Sequence, residues 1–132
     1  MVLDTSALLA ILNDEPEYEV FRAAIENDPI RLTSAASLIE ASRVIESRVG
    51  DVGGRELDLV IHTAGIRVVN VDADQVALAR TAFRRFGKGR HRAGLNFGDV
   101  FSYALSKSSG EPLLFKGADF SKTDVVAVVP AR

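Results

Sequence analysis

Asp4, Glu40, Asp99 and Asp119 stand where a small domain gains least from acids. Asp4 ends the apolar run Met1-Val2-Leu3, and Asp119 follows Leu113-Leu114-Phe115. Glu40 lies inside the helical pattern Ser34–Val49, and Asp99 inside Leu95–Ser106. Acids at strand ends and among small apolar helix residues can converge. Converged carboxylates repel one another unless a proton or a cation joins them. An all-oxygen donor set suits Mg²⁺ or Mn²⁺, and a divalent-metal site of that kind suggests phosphodiester chemistry.

Each acid also has a plainer reading. Asp4, followed by Thr5 and Ser6, can cap a helix that leaves a strand, and a carboxylate can cap with one oxygen and bind metal with the other. Glu40 has Ala36, Ser37, Arg43 and Val44 one turn away, so it is either exposed, paired with Arg43, or turned inward as a ligand. Asp99 favours a helix N-terminus through the helix dipole. Asn96 lies one turn before it and Ser102 and Tyr103 one turn after, while Gly98 permits close approach of another group. Asp119 can be a turn acid, and Asp124 is an alternative fourth acid. Lys116 either contacts phosphate or balances the acids. Tyr103 is a core aromatic or a base-stacking platform. Of the two histidines, His62 and His91, the second sits in a basic stretch suited to phosphate contact.

The chain has 132 residues and a net charge of −2. That length predicts a single domain spanning 1–132. There is no Cys, so disulfides and thiolate-bound zinc are excluded. No signal-peptide pattern or bilayer-length apolar run is visible, and a cytoplasmic location without membrane contact is the expectation. The charge distribution says more than the sum. No acid occurs between Asp74 and Asp99, a stretch that holds Arg80, Arg84, Arg85, Lys88, Arg90 and Arg92. Without these six, ten Lys and Arg face eighteen Asp and Glu. A basic patch on an acidic body is a candidate phosphate-binding surface, or a solvated helix end and loop.

The elements that must position these residues alternate. Met1–Asp4 reads as a buried strand feeding a helix over Thr5–Asn13. Asp14 and Pro16 open a second helix that Pro29 closes. Ile30–Leu32 is a short strand candidate. Thr33 or Ser34 caps the helix carrying Leu38, Ala41, Val44 and Ile45. A helix from about Arg55 to Ala64 stops at Gly65, and Ile66–Val71 is β-branched and strand-like. Asp72 or Asp74 caps a helix through Phe86, Gly87–Gly94 is a glycine-rich basic loop, and Asn96 caps a helix from Phe97 to about Lys107. Pro112–Phe115 and Val125–Val129 read as short buried strands. The alternation predicts an α/β fold, a three-layer sandwich with a central, mainly parallel sheet flanked by helices. Ligands of such sheets bind beyond the carboxyl ends of the strands, where Asp4 and Asp119 fall.

Taken together, Asp4-Thr5-Ser6, the helical Glu40, Leu95-Asn96-Phe97-Gly98-Asp99 and Leu113–Phe120 resemble a PIN domain. More narrowly, the chain resembles the VapC toxins of VapBC toxin–antitoxin pairs. The stretch Gly87-Lys88-Gly89-Arg90-His91 is similar to one VapC subset. The likeness covers nearly the whole chain, in order. It implies an endoribonuclease dependent on Mg²⁺, for which Mn²⁺ can substitute, with Asp4, Glu40, Asp99 and Asp119 as catalytic, metal-holding acids. It also implies a homodimer and inhibition by a cognate VapB-type antitoxin. Structured RNA, tRNA or rRNA, is the expected substrate. Three positions depart from the pattern. Gly117 and Ala118 stand where many relatives carry acids, and Arg92 stands where relatives often carry Pro.

On this reading Thr5, Ser6 and Asn96 position water or phosphate oxygens. Arg84, Arg85, Lys88, Arg90, His91, Arg92 and Lys116 hold the RNA backbone, giving affinity without sequence information. Leu8, Leu9, Leu12 and Phe21 are either core or the wall of a groove for an amphipathic partner helix. Two competing readings are a non-catalytic RNA-binding module of the same fold and a phosphoacceptor domain with Asp72 as acceptor.

Overall fold

The computed structural model describes residues 1–128. Four strands, β1 (Val2–Leu3), β2 (Leu32–Ser34), β3 (Arg67–Val69) and β4 (Leu113–Leu114), form one sheet in the order β3-β2-β1-β4. Every pairing is parallel. Six helices connect them: α1 (Thr5–Leu12), α2 (Tyr18–Asn27), α3 (Ala35–Val49), α4 (Asp51–Thr63), α5 (Ala73–Phe86) and α6 (Asp99–Ser109). A short 3-10 turn follows at Phe120–Lys122.

The two central strands are short, continuous apolar runs because both sheet faces are covered. Successive side chains alternate between faces. Val2 and Leu113 pack toward Ala82, Phe86, Leu95, Val100 and Leu105 of the α5–α6 layer. Leu3 and Leu114 pack with Leu8, Phe21, Ile25, Ala41 and Leu57 of the α1–α4 layer. The result is the expected three-layer sandwich. Each of these leucines, essentially inaccessible to solvent, contributes roughly 1.5–3 kcal/mol by leaving water.

Strand order carries functional weight. From β1 the chain moves outward to β2 and β3, then returns to place β4 on the other side of β1. The switch point therefore lies between β1 and β4, and the crevice beyond their carboxyl ends is where such sheets bind ligands. Asp4 follows β1 directly.

Several boundaries differ from expectation. The second strand is Leu32–Ser34, two residues beyond Ile30–Leu32. Thr33 is fully buried there because its hydroxyl donates to the Leu3 carbonyl at 2.9 Å, whereas Ile30 is exposed. The helix after Asp14 starts only at Tyr18, since Asp14 adopts φ 50° and breaks the helical path. The fourth helix starts at Asp51 and runs through Gly53-Gly54. Gly53 is the close-approach point of α3 and α4: a Cβ there would come within 2.8 Å of the Ile45 side chain. Asp72, not Asp74, caps α5 by accepting from the Gln75 N–H at 2.9 Å. Of Val125–Val129, Ala127 makes a parallel bridge to Leu113, and Val129 lies outside the described residues. Among the described residues no helix is long and apolar enough to cross a membrane.

Candidate active site

Asp4 sits at the switch point with only 4% of its surface exposed. Its backbone is extended, as an N-cap requires, and Oδ2 accepts from the Ser6 N–H at 3.0 Å and the Ser6 hydroxyl at 2.6 Å. Oδ1 accepts from the Ser102 hydroxyl at 2.5 Å. Three donors satisfy this buried carboxylate without a salt bridge. Capping and ligation are thus compatible in one side chain.

Asp99 opens α6, and Asn96 closes a reciprocal cap with it. The Asn96 N–H donates to Asp99 Oδ2 and the Asp99 N–H to Asn96 Oδ1, both at 3.0 Å. This is the capping-box pattern with Asn and Asp in the two roles. Burial nevertheless pushes the Asp99 carboxyl up to about 6, against the Asn96 N–H, and the charges of Asp4, Asp119 and Glu40 push in the same direction. The three other acids singled out in the sequence therefore all act on Asp99.

Glu40 reaches the same place from α3. Its carboxylate lies over Gly98, where a Cβ would stand 2.3 Å from Oε2. Only glycine leaves that room beside Asp99. Glu40 is half-buried and, among the described residues, forms no ion pair with Arg43. Asp119 is exposed on the loop after β4. Asp124 lies elsewhere in charge terms. It accepts from the Tyr103 hydroxyl at 2.7 Å and pairs with Lys107 at 3.2 Å and Arg85 at 3.6 Å.

The supporting residues are committed inside the protein. Thr5 donates to the Ser37 carbonyl, Ser6 holds Asp4 and accepts from the Lys116 N–H, and Asn96 caps Asp99. Thr5 is thereby tied to α3, Ser6 to Asp4 and the loop after β4, and Asn96 to Asp99. The Lys116 ammonium pairs with Glu15 and Glu17. Tyr103 is a core residue. Ser37 and Ser102, to which the sequence reading gave no role, join across α3 and α6 at 3.1 Å. The available signal was a small hydroxyl one helical turn from each of Glu40 and Asp99.

Along the basic stretch, Arg84, Lys88, Arg90 and Arg92 are exposed and form no ion pair among the described residues. Arg85 pairs with Asp124 and stacks on Phe86 at 4.7 Å. His91 accepts the Ala93 N–H on Nδ1, which leaves the proton on Nε2, and its ring meets Phe86 edge-on. Asp72 follows the edge strand β3, is exposed, and is occupied as a cap, which counts against the phosphoacceptor reading.

As a donor set, four carboxylates suit a hard divalent cation. Among the described residues no three acids or histidines form a ready-made cage. Mg²⁺ needs no such cage, since it keeps several waters and uses one or two carboxylates directly, and Asp4 and Asp99 have the oxygen chemistry for that.

The sequence profile of the PIN domain matches residues 1–126. The chain is 62% identical to a protein named Ribonuclease VapC from Mycolicibacterium smegmatis, over 97% of this chain and 99% of that one. It is 61% identical to Ribonuclease VapC30 from Mycobacterium tuberculosis, over 97% and 98%. In fold it resembles the crystal structure of VapC20 from Mycobacterium tuberculosis, described as a sarcin-ricin loop cleaving toxin, with a TM-score of 0.79 at 23% identity and 98% coverage of both chains. It also resembles VapBC2 from Rickettsia felis bound to promoter DNA, with a TM-score of 0.73 at 14% identity, covering 96% of each chain. A profile match over residues 1–126 and identities above 60% along nearly the whole chain mean that the chain belongs to the PIN-domain family, among the VapC ribonucleases.

Proposed function

We propose that this chain is the toxin of a type II toxin–antitoxin pair, an endoribonuclease that hydrolyses phosphodiester bonds of structured RNA, tRNA or rRNA, with Mg²⁺ or Mn²⁺. The observation that carries the reading is the placement of the buried Asp4 at the end of β1 and of the Glu40 carboxylate over Gly98, beside Asp99. Like charges so arranged cost the free protein energy that a cation relieves. Asp4 and Asp99 would hold the metal directly, Glu40 directly or through water, and Asp119 at the outer edge. When bound, the metal supplies Lewis acidity for the phosphate and for the attacking water. Ser6 and Asn96 keep the Asp4 and Asp99 carboxylates oriented. Arg84, Lys88, Arg90, His91 and Arg92 hold the RNA backbone beside them, leaving Arg85 and Lys116 to their ion pairs.

A cognate VapB-type antitoxin is the expected partner. A groove of about 380 Å³ lined by Ile11, Tyr18, Arg22, Ile25, Leu59 and Val60 offers an apolar floor with charged edges to an amphipathic helix. Leu8 and Phe21, considered as groove residues, are core instead, while Leu9 and Leu12 are half-buried. A homodimer is part of the same proposal.

The test is cleavage of purified, antitoxin-free protein on structured RNAs in Mg²⁺, in Mn²⁺ and in EDTA. Cleavage confined to the metal-containing reactions is expected. Full activity in EDTA would sink the metal-dependent mechanism. Salt-sensitive RNA binding with no cleavage in any metal would favour the non-catalytic RNA-binding alternative.

A further inference from the structure

Ser102 and Ser37 are almost inaccessible, 0% and 1% exposed, and lie in the first turns of two different helices. A buried hydroxyl there is costly unless satisfied, and the bonds it makes are directional. An ionised carboxylate only accepts, so Ser102 donates to Asp4 Oδ1 at 2.5 Å. The Ser102 oxygen then receives the Ser37 proton across 3.1 Å. The Ser37 carbonyl in turn accepts from the Thr5 hydroxyl at 3.2 Å. Asp4, Ser102, Ser37 and Thr5 thus close a ring through the end of β1, α6, α3 and the start of α1.

The spacing gives this ring a purpose beyond packing. Ser37 precedes Glu40 by three residues on α3, and Ser102 follows Asp99 by three on α6. Each serine shares a helix face with the acid of its own helix. One set of hydroxyls therefore sets the register of three acid-bearing elements against one another. Ala at these positions would nearly match the serine in size but could not orient Asp4.

We propose that Ser102, oriented by Ser37, is a positioning residue that fixes the Asp4 carboxylate for divalent-cation binding. This rests on the metal-dependent reading of the site. Groups that orient metal-binding carboxylates are commonly worth about 10–100-fold in affinity. Ser106 provides the control. It is buried on the same helix but donates to the Glu111 carbonyl at 2.7 Å, away from the acids.

The experiment is Mn²⁺ binding by electron paramagnetic resonance on the full chain, with thermal melts in EDTA alongside, for wild type, Ser102→Ala, Ser37→Ala and Ser106→Ala. Ser102→Ala is expected to bind Mn²⁺ about 10–100-fold more weakly and Ser37→Ala by a smaller factor. Ser106→Ala is expected to lose stability while binding as wild type does. Should Ser102→Ala fail to fold, the contrast between Ser37→Ala and Ser106→Ala decides: weaker binding by the first alone supports the proposal, and equal binding overturns it. Wild-type affinity in a folded Ser102→Ala overturns the positioning role and leaves the metal reading standing. A wild type that takes up no Mn²⁺ overturns both.

Discussion

Two aspartates bear on helix α6 at different heights and in opposite surroundings. Asp99, at its first turn, is pushed up to about 6, chiefly by burial and then by three other acids, against the Asn96 N–H. Asp124 bonds Tyr103 and Lys107 further along the same helix. Burial would raise it too, but the Tyr103 hydroxyl and the charges of Lys107 and Arg85 outweigh burial and hold it below the usual carboxylate range. One region neutralises its acid and gains a tie between the chain end and the helix. The other gathers like charge and bears the cost. An acid with its own cations serves the fold, whereas a carboxyl raised by burial and by neighbouring acids, as Asp99 is, marks a candidate functional site.

The widest separation of the two should come from removing charge at each. Asp99→Asn is expected to lower RNA cleavage by more than about a hundredfold, beyond the range of changes outside the ligand set. In EDTA the same variant should melt higher than wild type at pH 8. The sign follows from linkage. The folded Asp99 pKa, about 6, lies above the ordinary 3.8, so its favourable contribution is present at low pH and is lost as pH rises through about 6. At pH 8 the cost relieved is of order 1–2 kcal/mol after allowing for solvent screening. A variant that melts lower and still cleaves would erase the contrast.

Cation addition sharpens it next. At a hundred times its Kd, Mn²⁺ should stabilise the wild type by about 2.7 kcal/mol at pH 8. Proton and cation compete for one carboxylate, so the gain in melting temperature should shrink as pH falls through about 6 and nearly vanish in Asp99→Asn. A pH-independent gain would place the cation elsewhere.

The basic loop should respond to salt and not to metal. Replacing Arg90 and Arg92 together by Ala should flatten the logarithmic salt dependence of RNA affinity by roughly 1.4–1.8, the value for two lost phosphate contacts. The Mn²⁺ response should be untouched. An unchanged salt slope would remove these two residues from the RNA path.

The smallest effect is expected at the second aspartate. Asp124→Asn should leave cleavage within a few-fold of wild type and cost at most about 1 kcal/mol, since its ion pairs are exposed to solvent. A collapse of activity comparable to Asp99→Asn would make Asp124, not Asp119, the fourth acid.

Much of this was legible in the residues. Buried parallel strands are short apolar runs, so Asp4 and Asp119 could be placed after strands, and the alternation of elements foretold the layered fold. Asn96 could be read as a cap, though α6 starts at Asp99 and not Phe97, and the cap of α5 could be narrowed to Asp72 or Asp74, because a cap is a local bond completed within three residues. The misplaced boundaries were those where a distant partner overrode local preference. Thr33 enters the sheet by bonding Leu3, and Gly53 stays helical because α3 packs against it.

The sequence by itself determined the chemistry on offer: which acids, in what order, with a basic loop ahead of Asp99. Only the tertiary structure decided that the Glu40 carboxylate lies over Gly98 beside Asp99 and that Asp124 pairs with Lys107 and Arg85, that Lys116 is taken by Glu15 and Glu17, and that Ser102 grips a carboxylate 98 residues away. The physical reason is range. Helix, strand and cap preferences act over a few neighbours, whereas desolvation and charge act through space, between residues that the chain brings together only once the sheet has been wound.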